Sequence, residues 1–142
     1  QAIIVVDDVG VGGGVTDYLR HAPGVRARIL PFQGGGKARD DQHYQNAVTE
    51  CWMLMGKAFR EGDIAIPRDQ ALISQVASRQ YILMNDRRLK VQSKEDLRPN
   101  ESGARSSWHS PDEADALAMT FAVRYTEAPR IQHATKSSDW RE

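Results

Sequence analysis

The chain has 142 residues and a single cysteine, Cys51, so no internal disulfide can form. A lone cysteine inside an apolar helical pattern reads as a buried, reduced thiol, the expectation for an intracellular, cytoplasmic protein. His21, His43 and His133 stand at no metal-ligand spacing from it, which speaks against a zinc site. Charge of one sign is also missing, because 19 basic and 19 acidic residues cancel. That balance excludes a wholly electrostatic nucleic-acid binder and leaves room for a local basic groove. No apolar run approaches the ~18 residues of a membrane span, and no signal-peptide pattern is present. Neither glycine-rich loop completes a nucleotide motif. Gly10-Val11-Gly12-Gly13-Gly14-Val15 lacks the sixth-position glycine of a dinucleotide fingerprint, and Gly34-Gly35-Gly36-Lys37-Ala38 has no Ser or Thr after its lysine. ATP hydrolysis is not encoded in these loops. There is no internal repeat, and the length fits one domain.

What is present is an alternation of strand and helix patterns. Gln1 to Asp7 reads as a fully buried strand, continuous in apolar, β-branched residues, of the kind found inside a parallel sheet. Such a strand needs neighbours on both sides, so a chain that opens on it without an initiator Met is expected to be a piece of a longer protein. A glycine loop follows, then a helix from Val15 to about His21 and a second strand from Val25 to Phe32, together a βαβ unit. Gln33 to Asp41 is glycine-rich loop. Tyr44, Ala47, Val48, Cys51, Met55, Ala58 and Phe59 mark an amphipathic helix over His43 to Arg60, closed by Gly62. Asp63 to Ile66 reads as a short strand and Asp69 to about Arg79 as a helix. Tyr81 to Met84 and Leu89 to Val91 flank a turn and predict a hairpin. Ser93 to Leu97 fits a helical turn, and Pro99 to His109 a loop. A last helix opens at Ser110 and runs to about Tyr125. Residues 1–126 are thus read as one α/β unit and 127–142 as a polar, partly disordered tail.

The chemistry-bearing residues are acids. Ser110 suits an N-cap, Pro111 the first helical position and Glu113 the acid of a capping box. Asp112 and Asp115, three apart, can then point toward one place. The helix macrodipole accounts for Asp112 and Glu113 without any function. Asp115 is different, because it flanks the apolar stripe Ala114, Leu117, Ala118, Phe121, Ala122 and Tyr125, where an acid needs a partner or a metal. Asp7 and Asp8 end the first strand, where open α/β sheets build their sites. Alternation turns only one of the two inward, Asp7 by its parity with Ile3 and Val5 while Asp8 belongs to the glycine turn, and an Asx turn before the glycines is the plain alternative. Acids from strand and helix together would match the oxygen preference of Mg²⁺ or Mn²⁺. Arg87, Arg88, Lys90, Lys94, Arg98 and Arg105 concentrate positive charge before the acidic helix. They form either a solvated face or contacts to a phosphate backbone. His109 beside the helix cap reads as incidental.

Taken in order, these segments resemble the nuclease domain of tailed-bacteriophage terminase large subunits. The resemblance rests on Val5-Val6-Asp7-Asp8-Val9-Gly10-Val11-Gly12 with Asp17-Tyr18-Leu19-Arg20, on Tyr44-Gln45-Asn46 with Glu50-Cys51-Trp52, and on Gly62-Asp63-Ile64-Ala65-Ile66-Pro67. It continues through Leu72-Ile73-Ser74-Gln75-Val76 and Ser93-Lys94-Glu95-Asp96, and closes with Ser110-Pro111-Asp112-Glu113-Ala114-Asp115-Ala116-Leu117 and Thr120-Phe121-Ala122. It implies a ribonuclease-H-like α/β fold, a mixed sheet flanked by helices, that lacks its opening strands here. It also implies an endonuclease that cuts concatemeric viral double-stranded DNA during packaging, using a two-metal Mg²⁺ or Mn²⁺ site. Asp7, Asp115 and Asp112 match the family's acids, with Asp8 either supporting a ligand from behind or substituting for one, and Lys94, Arg87 and Arg88 DNA contacts. The family's first acid has no counterpart in this sequence, so the chain alone is expected to be weak or inactive. The terminase small subunit and the portal protein are the partners implied for the full-length parent. Two other readings stay open: an inactive fragment or prophage remnant that still binds DNA or a packaging partner, and a nucleotide-binding α/β domain using the glycine loop.

Overall fold

The computed structural model describes residues 2–93 and 111–123. A βαβ unit opens the chain: strand β1 (Ile3–Asp7), helix α1 (Gly12–His21) and strand β2 (Arg28–Phe32). The strands pair in parallel, Ile3 opposite Arg28 through Asp7 opposite Phe32. This bears out the expected crossover, with both boundaries shifted. Gly24 takes φ +87° in the turn after α1, and the chain reaches β1 only where Arg28 N–H donates to the Ala2 carbonyl at 2.9 Å, so Val25 to Ala27 stay outside the ladder. Helix α1 starts within the glycines because Gly12 lies tight against the Asp7 carbonyl oxygen, a fit that any Cβ would destroy. The expectation that β1 is fully buried is corrected. Ile4 is 37% exposed, and among the described residues β1 has a ladder partner only in β2.

The central element is helix α2 (Ala47–Glu61). Asn46 caps its start, accepting from Thr49 N–H at 3.1 Å. Gly62 closes it in the left-handed region at φ +74°, with Gly62 N–H donating to the Phe59 carbonyl at 3.3 Å and Asp63 N–H to Ala58 at 2.9 Å. That pair of crossed bonds is the Schellman arrangement, which glycine favours because it has no Cβ to clash. The helix was expected from His43. Residues 43–45 instead bond to the later hairpin: Leu89 N–H donates to the His43 carbonyl at 2.8 Å and Gln45 N–H to the Leu89 carbonyl at 2.9 Å.

Asp63 to Ile66 is not a strand, because it finds no ladder partner among the described residues. Helix α3 (Gln70–Ser78) begins at Asp69, whose carboxylate accepts from the amides of Ala71 and Leu72 at 2.8 and 3.1 Å. The hairpin is present as β3 (Tyr81–Leu83) and β4 (Leu89–Val91), antiparallel. Its turn puts Arg87 at φ +67°. Helix α4 (Asp112–Met119) continues as a 3-10 turn over Thr120–Val123. Among the described residues the strands form two separate pairs, one parallel and one antiparallel.

Two apolar clusters meet on α2. Trp52 and Met55 pack with Val91, Ala114 and Ala118, while Ala47 and Cys51 pack with Phe32 and Ala122, and Val5 leans on this second group. Helix α4 and its 3-10 extension thus lie along α2 with small residues inward, which permits close approach. None of the described helices is long and apolar enough to cross a membrane.

Candidate functional site

The parallel pair ends in two acids. Asp8 N–H extends the ladder, donating to the Phe32 carbonyl at 2.8 Å. The Asp8 side chain is half-buried and accepts from the Thr16 hydroxyl of α1 at 2.8 Å. Asp7 is exposed, and its Oδ1 accepts from Val9 N–H at 3.3 Å, an Asx-type turn into the glycines. Strand parity placed Asp7 with Ile3 and Val5, and the buried hydroxyl of Thr16 draws Asp8 inward instead. The same carboxylate beside the first turn of α1 places negative charge where a nucleotide phosphate would need donors, which weighs against the nucleotide-binding alternative.

The second group of acids lies at the start of α4. Pro111 occupies the N-cap position, not the first helical turn, and supplies no side-chain bond; the expected cap, Ser110, lies outside the described residues. The helix is capped from outside. Gln75 of α3 accepts from Glu113 N–H and Ala114 N–H, both at 3.1 Å, and its own amide donates to Glu113 Oε2 at 2.8 Å. Glu113 therefore pairs with Gln75, where a capping box would have turned it back onto its own helix. Asp112 is exposed. Asp115 points inward: its Oδ1 accepts from the Trp52 indole N–H at 3.0 Å and lies 3.6 Å from an Arg79 guanidinium nitrogen. The Arg79 guanidinium also stands over the Trp52 ring, 5.3 Å from its centroid.

The two groups of acids belong to different neighbourhoods. Val5 and Phe32 of the parallel pair meet the Ala122 end of the closing helix, whereas Ala114 and Ala118 lie against Trp52, Met55 and Val91. Among the described residues, no three of His, Cys, Asp and Glu come together in a way that could hold a metal ion. The described acids therefore do not by themselves fit a two-metal centre.

The basic residues divide similarly. Arg87 is exposed at the hairpin tip, and Lys90 is half-buried in β4. Arg88 pairs with Asp86 at 2.7 Å, and that bond holds the Asp86 carboxyl below the usual range. Lys94, Arg98, Arg105 and His109 lie outside the described residues. Sequence reasoning missed Gln75 and Arg79 as partners of the α4 acids. Their spacing of four at the end of a helix puts them on one face, a signal visible in the sequence but without an address until the fold is known. It also missed Glu50. This buried acid accepts from the amides of Arg39 at 2.7 Å and Asp40 at 3.3 Å and so anchors the loop before α2.

No family model and no curated protein matches the chain. Solved structures do. The nuclease domain of the large terminase subunit gp2 of bacterial virus Sf6 superposes with a TM-score of 0.59 at 18% identity, covering 85% of this chain and 65% of that one. A point mutant of the same domain with manganese gives 0.60 at 18% identity, covering 85% and 66%. The mutant with manganese and beta-thujaplicinol gives 0.60 at 18% identity, covering 85% and 65%. The chain thus has the ribonuclease-H-like fold of these terminase nuclease domains and spans just under two thirds of their length.

Proposed function

We propose that this chain is part of a nuclease domain that cuts double-stranded DNA during viral genome packaging, with Mg²⁺ or Mn²⁺ as the cation. The fold likeness to a terminase nuclease over 85% of the chain carries the reading. The acids at the end of β1 support it, since this edge of a parallel pair is where α/β folds build active sites. Asp7 and Asp8 are the proposed strand-side acids, and Asp115 or Asp112 the helix-side acid. The described acids form no three-membered group, so completing the centre requires ligands from outside the described residues. Arg87, Arg88, Lys90, Lys94, Arg98 and Arg105 would hold backbone phosphates without reading bases. A terminase small subunit and a portal protein are the partners this reading calls for, in the cytoplasm of a bacterial host.

The test is Mn²⁺-dependent nicking of supercoiled plasmid by the full native protein. Asp7→Asn and Asp115→Asn are each expected to reduce nicking by two orders of magnitude or more, on the scale of lost metal-ligand function. Unchanged nicking in both variants would show that the acids are wrongly assigned. The alternative reading is a non-catalytic unit that binds DNA. That reading requires salt-dependent DNA retention with no cleavage in Mn²⁺.

A further inference from the structure

Helix α3 delivers two side chains onto the first turn of α4. Gln75 takes up the amides of Glu113 and Ala114, and four residues later Arg79 reaches Asp115. The pair is well shielded, with the Arg79 side chain 7% exposed and that of Asp115 16% exposed. The Trp52 ring lies under the guanidinium while its N–H donates to the same Asp115 oxygen. An indole N–H donor and a guanidinium charge thus converge on one oxygen, and the indole is fixed by the core that Trp52 shares with Met55 and Ala114. A planar guanidinium suits this place because it can lie over the ring face while bringing its charge to the carboxylate.

We propose that Arg79 is an internal counter-cation that latches Asp115 and keeps an external divalent cation out of the first turn of α4 in this conformation. The inference rests on the reading above, that an acid of α4 serves a cation. The charge of Asp115 is already matched by the Arg79 guanidinium. A second cation beside a shielded guanidinium would face direct repulsion, so it can seat at Asp115 only when Arg79 lets go. Arg79 and Trp52 are positioning residues in this scheme.

The test reads cation binding and no cleavage, so it is separable from the plasmid assay. In the native protein without DNA, with Mn²⁺ at one equivalent, the Trp52 indole N–H resonance is expected to persist, because the latched Asp115 holds no paramagnetic ion until Arg79 is released in the DNA-bound state that the nicking assay reads. Its bleaching would overturn the latch even if plasmid nicking succeeds. Arg79→Met keeps an apolar stem over the ring and removes the charge. It is expected to bleach the Trp52 resonance in Mn²⁺ and to raise the Mn²⁺-induced gain in Tm above that of the parent. Arg79→Met combined with Asp115→Asn is expected to abolish both effects. A gain no larger than the parent's, or one that survives Asp115→Asn, would overturn the proposal.

Discussion

Cys51 sits on α2 with no exposed surface, and burial, with Glu50 next in line, raises its thiol pKa from 9.0 to about 12. The neutral thiol is therefore the form that the fold accommodates. The stabilisation is complete below pH 9, where both folded and unfolded chains keep the proton. It falls as pH rises from 9 toward 12, where only the unfolded chain gives the proton up. Stability should fall by about 1.4 kcal/mol per pH unit across that window on account of this one group. Urea unfolding at pH 8.5, 9.5 and 10.5 should show this slope in the parent and lose it in Cys51→Ala. Residue-scale chemistry of another kind governs Gly12. Its contact with the Asp7 carbonyl ties the strand-end acid to the start of α1, so the glycine there meets a packing demand, with no left-handed φ involved.

At the scale of elements, the start of α2 is joined to the hairpin by a relay of three residues. Val91 N–H donates to the Thr49 hydroxyl at 3.1 Å, and that hydroxyl donates to Asn46 Oδ1 at 2.6 Å. Thr49 is completely buried, so the Val91 amide has no water to turn to. Thr49→Val keeps the shape and removes the oxygen, leaving a buried donor without its acceptor. The expected loss is about 1–3 kcal/mol in chemical denaturation. Asn46→Ala removes the cap itself and should cost about 1 kcal/mol. A larger loss in the first variant than in the second would show that the relay to β4 outweighs the cap.

At the scale of the molecule, α2 carries both apolar clusters, and the βαβ unit leans on only one of them. Helix α1 buries little besides Gly12 and Thr16, with Val15 48% and Tyr18 71% exposed. Helix α2 buries seven residues along its length. Elements with few buried contacts open at lower free energy than the core they lean on. Native-state hydrogen exchange should therefore protect the amides of α1 less than those of α2 between Cys51 and Ala58. Equal protection in the two helices would contradict this picture of where stability resides.

The sequence by itself determined the order and type of most elements. The period of α2, the Gly62 stop, the glycine turn after β1 and the hairpin are local properties, set by side-chain periodicity and by which backbone angles each residue tolerates. The terminase-like fold was legible in the order of these segments. Tertiary structure alone decided the ends and the partners. Helix α2 starts four residues later than its pattern suggested because residues 43–45 bond to Leu89. Residues 63–66 have strand-like composition but no ladder neighbour among the described residues. Asp8 turns inward toward Thr16. Asp115, expected from its place beside an apolar stripe to need a partner, has an arginine and an indole, brought to it from residues 36 and 63 positions earlier in the chain. Hydrogen bonds and ion pairs between distant segments depend on positions in space, and no local period encodes them.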